Sequence, residues 1–101
     1  SKTGCPYVWG STGPNSFDCS GFTQWVYRQN GIYIPRTSSE QKAAAKKVVS
    51  LSELEVGDIL WRSGHVGIYI GNGRYVHAPH TGDVVKVSSG VGKFTCGLRY
   101  Q

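Results

Sequence analysis

Residues 64–78, Gly64-His65-Val66-Gly67-Ile68-Tyr69-Ile70-Gly71-Asn72-Gly73-Arg74-Tyr75-Val76-His77-Ala78, read as two β-strands joined by a tight turn. Valine, isoleucine and tyrosine fill both arms, and Gly-Asn-Gly between them is turn chemistry. If Gly71-Asn72-Gly73 is a three-residue loop with Gly73 left-handed, Ile70 opposes Arg74 and, counting back, Gly67 opposes His77. Alternation then places His65, Gly67, Tyr69, Tyr75 and His77 on one face and Val66, Ile68, Ile70, Val76 and Ala78 on the other. On this register His65 and His77 are diagonal neighbours with backbones roughly 7–8 Å apart, so one imidazole can hold the other. A two-residue loop would put them on opposite faces. Gly67, without a side chain, is expected to leave room for a helix end to approach the strand.

Further short strands are expected around residues 59–61, 84–88 and 97–100, the first following a turn at Val56-Gly57-Asp58. The N-terminal half reads differently. Residues 10–15, Gly-Ser-Thr-Gly-Pro-Asn, are loop, after which Asp18 is a good N-cap for a helix carrying Phe22, Trp25 and Val26 at i, i+3, i+4 spacing. Asn30-Gly31 supplies its stop. A second helix is expected to start at Thr37 or Ser38, with Glu40 or Gln41 as capping-box partner, and to run through the alanines to Lys46-Lys47. Trp9 and Trp25 are read as packing residues. Helices first and strands after indicate an α+β domain, residues 1–101 as one unit, with its helices on one side of a small antiparallel sheet.

The 101 residues carry 11 Lys and Arg against 6 Asp and Glu, a formal charge of +5 that suits an anionic partner such as a cell wall. No Lys/Arg cluster is interleaved with aromatics along one element, which argues against nucleic acid. No apolar run approaches the roughly 18 residues of a membrane span, and no signal-peptide pattern opens the chain. The abrupt start fits a domain processed from a longer secreted protein, which could carry further wall-targeting domains. Three cysteines leave at least one unpaired. Cys5 and Cys96 lie near the two ends, so a bridge between them, implying an oxidising compartment, stands beside the alternative of two small packing residues.

Cysteine attacks as thiolate, and Cys19 falls in the first turn of the first helix, where free N–H groups and the helix dipole favour the anion. No CxxC accompanies it, so neither a redox pair nor a structural zinc site is indicated. His65 and His77 can complete a line of nucleophile, base and orienter. Asp18, beside the nucleophile, can cap the helix and also pair with an ammonium group. Zinc held by Cys19, His65 and His77 is a weaker reading, since no close-spaced ligand pair is present.

Four blocks, Tyr7-Val8-Trp9-Gly10, Phe17-Asp18-Cys19-Ser20-Gly21-Phe22, Gly64-His65-Val66-Gly67-Ile68-Tyr69-Ile70-Gly71 and Tyr75-Val76-His77-Ala78-Pro79, resemble the NlpC-type family of peptidoglycan endopeptidases. Pro35-Arg36-Thr37-Ser38 and Val56-Gly57-Asp58 add lesser support, and the match covers nearly the whole chain. The resemblance implies a papain-like fold and a secreted, cofactor-free enzyme with Cys19 as nucleophile, His65 as base and His77 as orienter. It also implies that Asp18 and Ser20 bind the free amine of a stem peptide and that Tyr7 shapes the oxyanion site. The bond implied joins the γ-carboxyl of D-glutamate to diaminopimelate or lysine. Ser11 and Ser16 stand where the family often has glycine. Two rival functions on the same fold are a silent wall-peptide-binding module and a thiol-dependent acyltransferase or amidase.

Overall fold

The protein's structure, a computed structural model, describes residues 3–100. Helix α1 spans Cys19–Gln29. Asp18 caps it from an extended conformation, its Oδ1 accepting the Gly21 N–H at 2.7 Å, and the helix stops at Asn30 before Gly31, whose φ is 78°. Phe22 is buried and Trp25 and Val26 half-buried, and this stripe packs with Phe17, Ile68, Ala78 and Val85. Trp25 meets Phe17 edge-on at 5.5 Å, as expected of a packing residue. Trp9 does not pack: it is 83% exposed, because the tight turn formed by the Ser11 N–H bond to Val8 O turns its indole outward.

Helix α2, Ser38–Ala44, opens on a reciprocal cap in which Thr37 Oγ1 accepts from the Glu40 N–H and donates to Glu40 Oε1. The expected extension to Lys46-Lys47 does not form. Ala45 is extended (φ −62°, ψ 138°), and Lys47–Val49 is instead a strand, β1. Val49, only 2% exposed, gains burial at the sheet edge that a lysine-flanked helix end could not offer. Gln41, fully buried, ties α2 to α1 by bonding Thr23 Oγ1 and the Ser20 carbonyl.

Five further strands follow: β2 (Ile59–Arg62), β3 (His65–Gly71), β4 (Arg74–His77), β5 (Lys86–Ser89) and β6 (Cys96–Arg99). With β1 they form one antiparallel sheet in the order β1-β6-β2-β3-β4-β5. The pairs Ile59↔Ile68, Trp61↔Val66 and Ile59↔Leu98 put the apolar residues of the central strands on the face that the helices cover. Leu60 and Leu98, both fully buried, each contribute roughly 1.5–3 kcal/mol by leaving water. The other face carries Leu60, Tyr75 and Phe94, roofed by short 3-10 turns at Leu51–Glu53 and Val91–Lys93.

The β3–β4 turn differs from the three-residue loop expected of it. Gly71 pairs with Arg74, leaving a two-residue turn, Asn72-Gly73, with both residues at positive φ (56° and 72°). Such a turn alone would move His77 to the other face. A bulge between Tyr69 and Gly71 takes up the extra residue, so Tyr69 still opposes Tyr75 and Ile68 still opposes Val76. The expected register of the histidines therefore holds for a different reason. Gly67 also has another purpose than the one expected. A Cβ there would stand 3.2 Å from His77 Cβ and 3.3 Å from Tyr75 Cδ2, so the space it leaves belongs to β4 and not to a helix end.

No bridge joins Cys5 to Cys96; both are free. Cys5 packs with Phe17, Ala78 and Val85, while Cys96 packs in the separate cluster of Ile59, Val66 and Leu98. Each is a small packing residue in its own cluster.

The loop before α1 presses on Gly21, where a Cβ would run into the Ser11 carbonyl oxygen and stand 2.8 Å from Asp18 Oδ1. That carbonyl already holds the Asp18 N–H at 2.9 Å. Gly21→Ala is expected to destabilise the fold by about 1–3 kcal/mol, read from the urea midpoint. An unchanged midpoint would mean that this loop yields without cost.

Candidate active site

Cys19 stands half-buried at the N-terminus of α1 with its sulfur against the start of β3. Sγ lies 4.0 Å from the Gly64 carbonyl oxygen, and the backbone N–H groups of Val66, Ser20 and Cys19 itself are near enough to favour its anion. Gly64 and Val66 flank His65, so the sulfur is seated at the one residue of β3 whose side chain can take a proton. It makes no hydrogen bond to an imidazole.

His65 and His77 are each 7% exposed, and His65 Nε2 lies 2.8 Å from His77 Nδ1. This leaves His65 Nδ1 as the nitrogen available to a thiol. Phe94 stacks on His65 at 5.9 Å with planes 19° apart, and Tyr75 packs edge-on to His77 at 4.7 Å. On its far side, His77 Nε2 meets Ser88 Oγ at 2.9 Å. The direct contact between the two rings leaves no gap for a metal, whose ligand nitrogens would each sit about 2.0–2.1 Å from it. Among the described residues no group of three or more His, Cys, Asp or Glu is placed to hold one, and Cys19, His65 and His77 form no such group.

Burial dominates the electrostatics. It pushes the Cys19 thiol above its ordinary value, with the Asp18 charge adding to the effect and the three N–H groups opposing it. It lowers His65 to about 4, helped by His77, Arg62 and His80, and lowers His77 to about 4, helped chiefly by Lys86. Burial thus opposes the thiolate that the helix N-terminus favours, and opposes the imidazolium as well. Moving the proton from Cys19 to His65 creates both charges together. Their attraction, with N–H groups on the sulfur and His77 on the imidazolium, offsets the burial that each charge would bear alone.

The remaining residues singled out in the sequence gather here too. Burial raises the Tyr7 phenol, and the charges of Cys19 and Asp18 raise it further, which places its side chain in the field of both. Asp18 accepts from Gly21 N–H at 2.7 Å, Gly10 N–H at 2.9 Å and Arg36 at 2.7 and 3.1 Å. Burial works against its ionisation, but these bonds outweigh it and hold the carboxyl below its usual range. Ser20 Oγ accepts from Arg36 Nη1 at 2.9 Å. Ser11 and Ser16, the two departures from the family pattern, bond to each other (Oγ to Oγ, 2.6 Å) and so tie the loop that leads to Cys19. Arg36 and Ser88 carried no role in the sequence reading, although Arg36 lies in a block that resembles the family.

The chain belongs to the NlpC/P60 family, whose model matches residues 4–96. It is similar to a probable endopeptidase of Corynebacterium glutamicum, 56% identical over 80 residues, which cover 76% of this chain and 38% of the relative. Among solved structures it resembles the NlpC/p60 domain of the peptidoglycan hydrolase SagA at a TM-score of 0.84 and 42% identity, covering 95% of this chain and 87% of that one. NlpC2 from Trichomonas vaginalis aligns at a TM-score of 0.86 and 34% identity, covering 98% and 42% of the two chains. The chain spans less than two fifths of the length of the C. glutamicum relative.

The buried imidazoles link folding to pH. In the unfolded chain His65 and His77 take up protons near the ordinary 6.5, whereas in the fold they do so only at about 4. The unfolded state then binds more protons between these values, so the stabilisation is complete above pH 6.5 and is lost as pH falls towards 4. The urea midpoint is expected to drop between pH 7.5 and 4.5, and a double His65→Gln, His77→Gln variant should show a shallower drop. Equal drops in the two proteins would contradict the assignment of buried, neutral rings.

Proposed function

We propose that this chain is a cysteine endopeptidase acting on peptidoglycan stem peptides, at the amide between the γ-carboxyl of D-glutamate and a diamino acid. The observation that carries the reading is the 2.8 Å contact of His65 with His77 beside a sulfur held on the backbone at Gly64 and Val66. It supports a base with one nitrogen committed to an orienting partner and the other left for the thiol. The names of the relatives, endopeptidase and peptidoglycan hydrolase, support the same substrate class.

In this reading His65 Nδ1 takes the Cys19 proton as Sγ attacks the γ-carbonyl carbon. The C–N bond then breaks, the diamino acid's nitrogen leaves with the proton from His65, and a thioester remains on Cys19. Water, deprotonated by His65, attacks the thioester and releases the γ-carboxylate with the thiol restored. Backbone N–H groups at the helix start, with the Tyr7 hydroxyl, stabilise the oxyanion. No residue of this scheme needs a cofactor.

Asp18 and Ser20 receive the free amine at the start of the stem peptide. Asp18 already accepts five hydrogen bonds, the longest from Ser20 Oγ at 3.5 Å, which fills an ionised carboxylate, so the ammonium shares or displaces one of the Arg36 bonds. Arg36 balances the charge of Asp18. Since stem peptides lie outside the cytoplasmic membrane, the domain works there, and among the described residues no helix is long and apolar enough to cross a membrane. The charge of +5 favours residence on an anionic wall.

Incubation with purified free stem peptides, released from the sugar, and read by mass spectrometry, tests the reading. The expected products are an L-alanyl-D-glutamate fragment and a fragment with a new free amine on its diamino acid. Cys19→Ala, with an unchanged urea midpoint, should lower the rate by at least about a thousandfold. Products from a different bond would refute the assigned specificity, and cleavage that survives Cys19→Ala would refute the mechanism. Binding without any cleavage by the wild type would instead favour a wall-peptide-binding module.

A further inference from the structure

The contact between His65 and His77 has an orientation that the two rings alone do not determine. When His65 accepts a proton both of its nitrogens become donors, and its Nε2–H needs a lone pair at His77 Nδ1. A neutral His77 offers that lone pair only in the tautomer with its proton on Nε2. In the other tautomer, Nδ1–H would face Nε2–H, and two donors would meet at 2.8 Å. The atom that faces His77 Nε2 therefore bears on whether the base can be charged at all.

That atom is Ser88 Oγ, at 2.9 Å. The sheet places it there. His77 opposes Lys86 and Tyr75 opposes Ser88, so Ser88 is diagonal to His77 on β5 just as His65 is diagonal to it on β3. Because β3 and β5 both run antiparallel to β4, the two diagonals point in opposite directions from His77. His65, His77 and Ser88 consequently lie along one line across three strands. Ser88 is half-buried, its strand is the sheet edge, and its hydroxyl has no other hydrogen-bond partner among the described residues. Tyr75, edge-on to His77 and directly opposite Ser88, limits the room for ring rotation.

We infer that Ser88 is a positioning residue: its hydroxyl oxygen accepts the His77 Nε2–H and so keeps His77 Nδ1 unprotonated towards His65. Ser88 touches neither the sulfur nor the proposed scissile bond, and it acts only through His77. The inference rests on the hydrolase reading for its effect on rate, but its effect on the tautomer is independent of any substrate.

The test compares wild type, Ser88→Ala and Ser88→Thr. Nitrogen-15 NMR of the labelled histidines at pH 7 reads the tautomer directly. The expected result is an Nε2–H His77 in wild type and Ser88→Thr, with the Nδ1–H form appearing in Ser88→Ala. With free stem peptides, Ser88→Ala is expected to lower kcat by roughly three- to tenfold, the size of one neutral hydrogen bond, with KM within about twofold and recovery in Ser88→Thr. An unchanged tautomer in Ser88→Ala overturns the inference whatever the rate does. So does a changed tautomer with an unchanged kcat, or a loss confined to KM. A wild type that cleaves no stem peptide would sink the hydrolase reading alone, because the spectra still decide the tautomer.

Discussion

The hydrogen bond between His65 and His77 is the constraint on which the site depends, and it is a property of strand register before it is a property of chemistry. Side chains alternate along a strand, so a shift of one residue in the β3–β4 pairing would put the two rings on opposite faces of the sheet. The turn at Asn72-Gly73 would impose that shift if the strand were regular. The bulge between Tyr69 and Gly71 cancels it, and Gly67 leaves the volume into which His77 and Tyr75 settle. Backbone geometry some distance from the sulfur thus decides whether a base is available beside it.

Burial then sets the character of the site. The same dehydration that raises the Cys19 thiol lowers both imidazoles, so it opposes a lone charge on either partner. Next to it, the Asp18 carboxylate is ionised but neutralised by Arg36. A buried pair of this kind stays intact only with its hydrogen bonds filled, and the N–H groups of Gly10 and Gly21 fill them. In this way the helix cap, the loop from Tyr7 and the start of α2 converge on one carboxylate beside the nucleophile.

Much of this was legible in the sequence. Asp18 followed by an apolar i, i+3, i+4 stripe gave α1 and placed Cys19 at its first turn, and strand alternation gathered the histidines. What local patterns could not supply was any feature set by long-range pairing. Lys46 and Lys47 suit a helix end, yet Lys47–Val49 is a strand because β6 offers it a partner. The turn at residues 71–73 carries glycines compatible with two loop lengths, and only the assembled sheet shows the bulge. Ser88 lies across an irregular connection of eight residues between β4 and β5, so no short-range turn fixes its register. For the sulfur, the helix N-terminus that favours a thiolate is visible in sequence, but the depth of the burial that opposes it is not.

The most direct measurement of the central claim is to trap the intermediate. Rapid acid quenching of the wild-type protein with a stem-peptide substrate, followed by peptide mapping, is expected to find Cys19 carrying an acyl group that ends in the γ-carbonyl of D-glutamate, with Cys5 and Cys96 unmodified. Substrate turnover with no acyl group on Cys19 at any quench time, or an acyl group on another residue, would contradict the account.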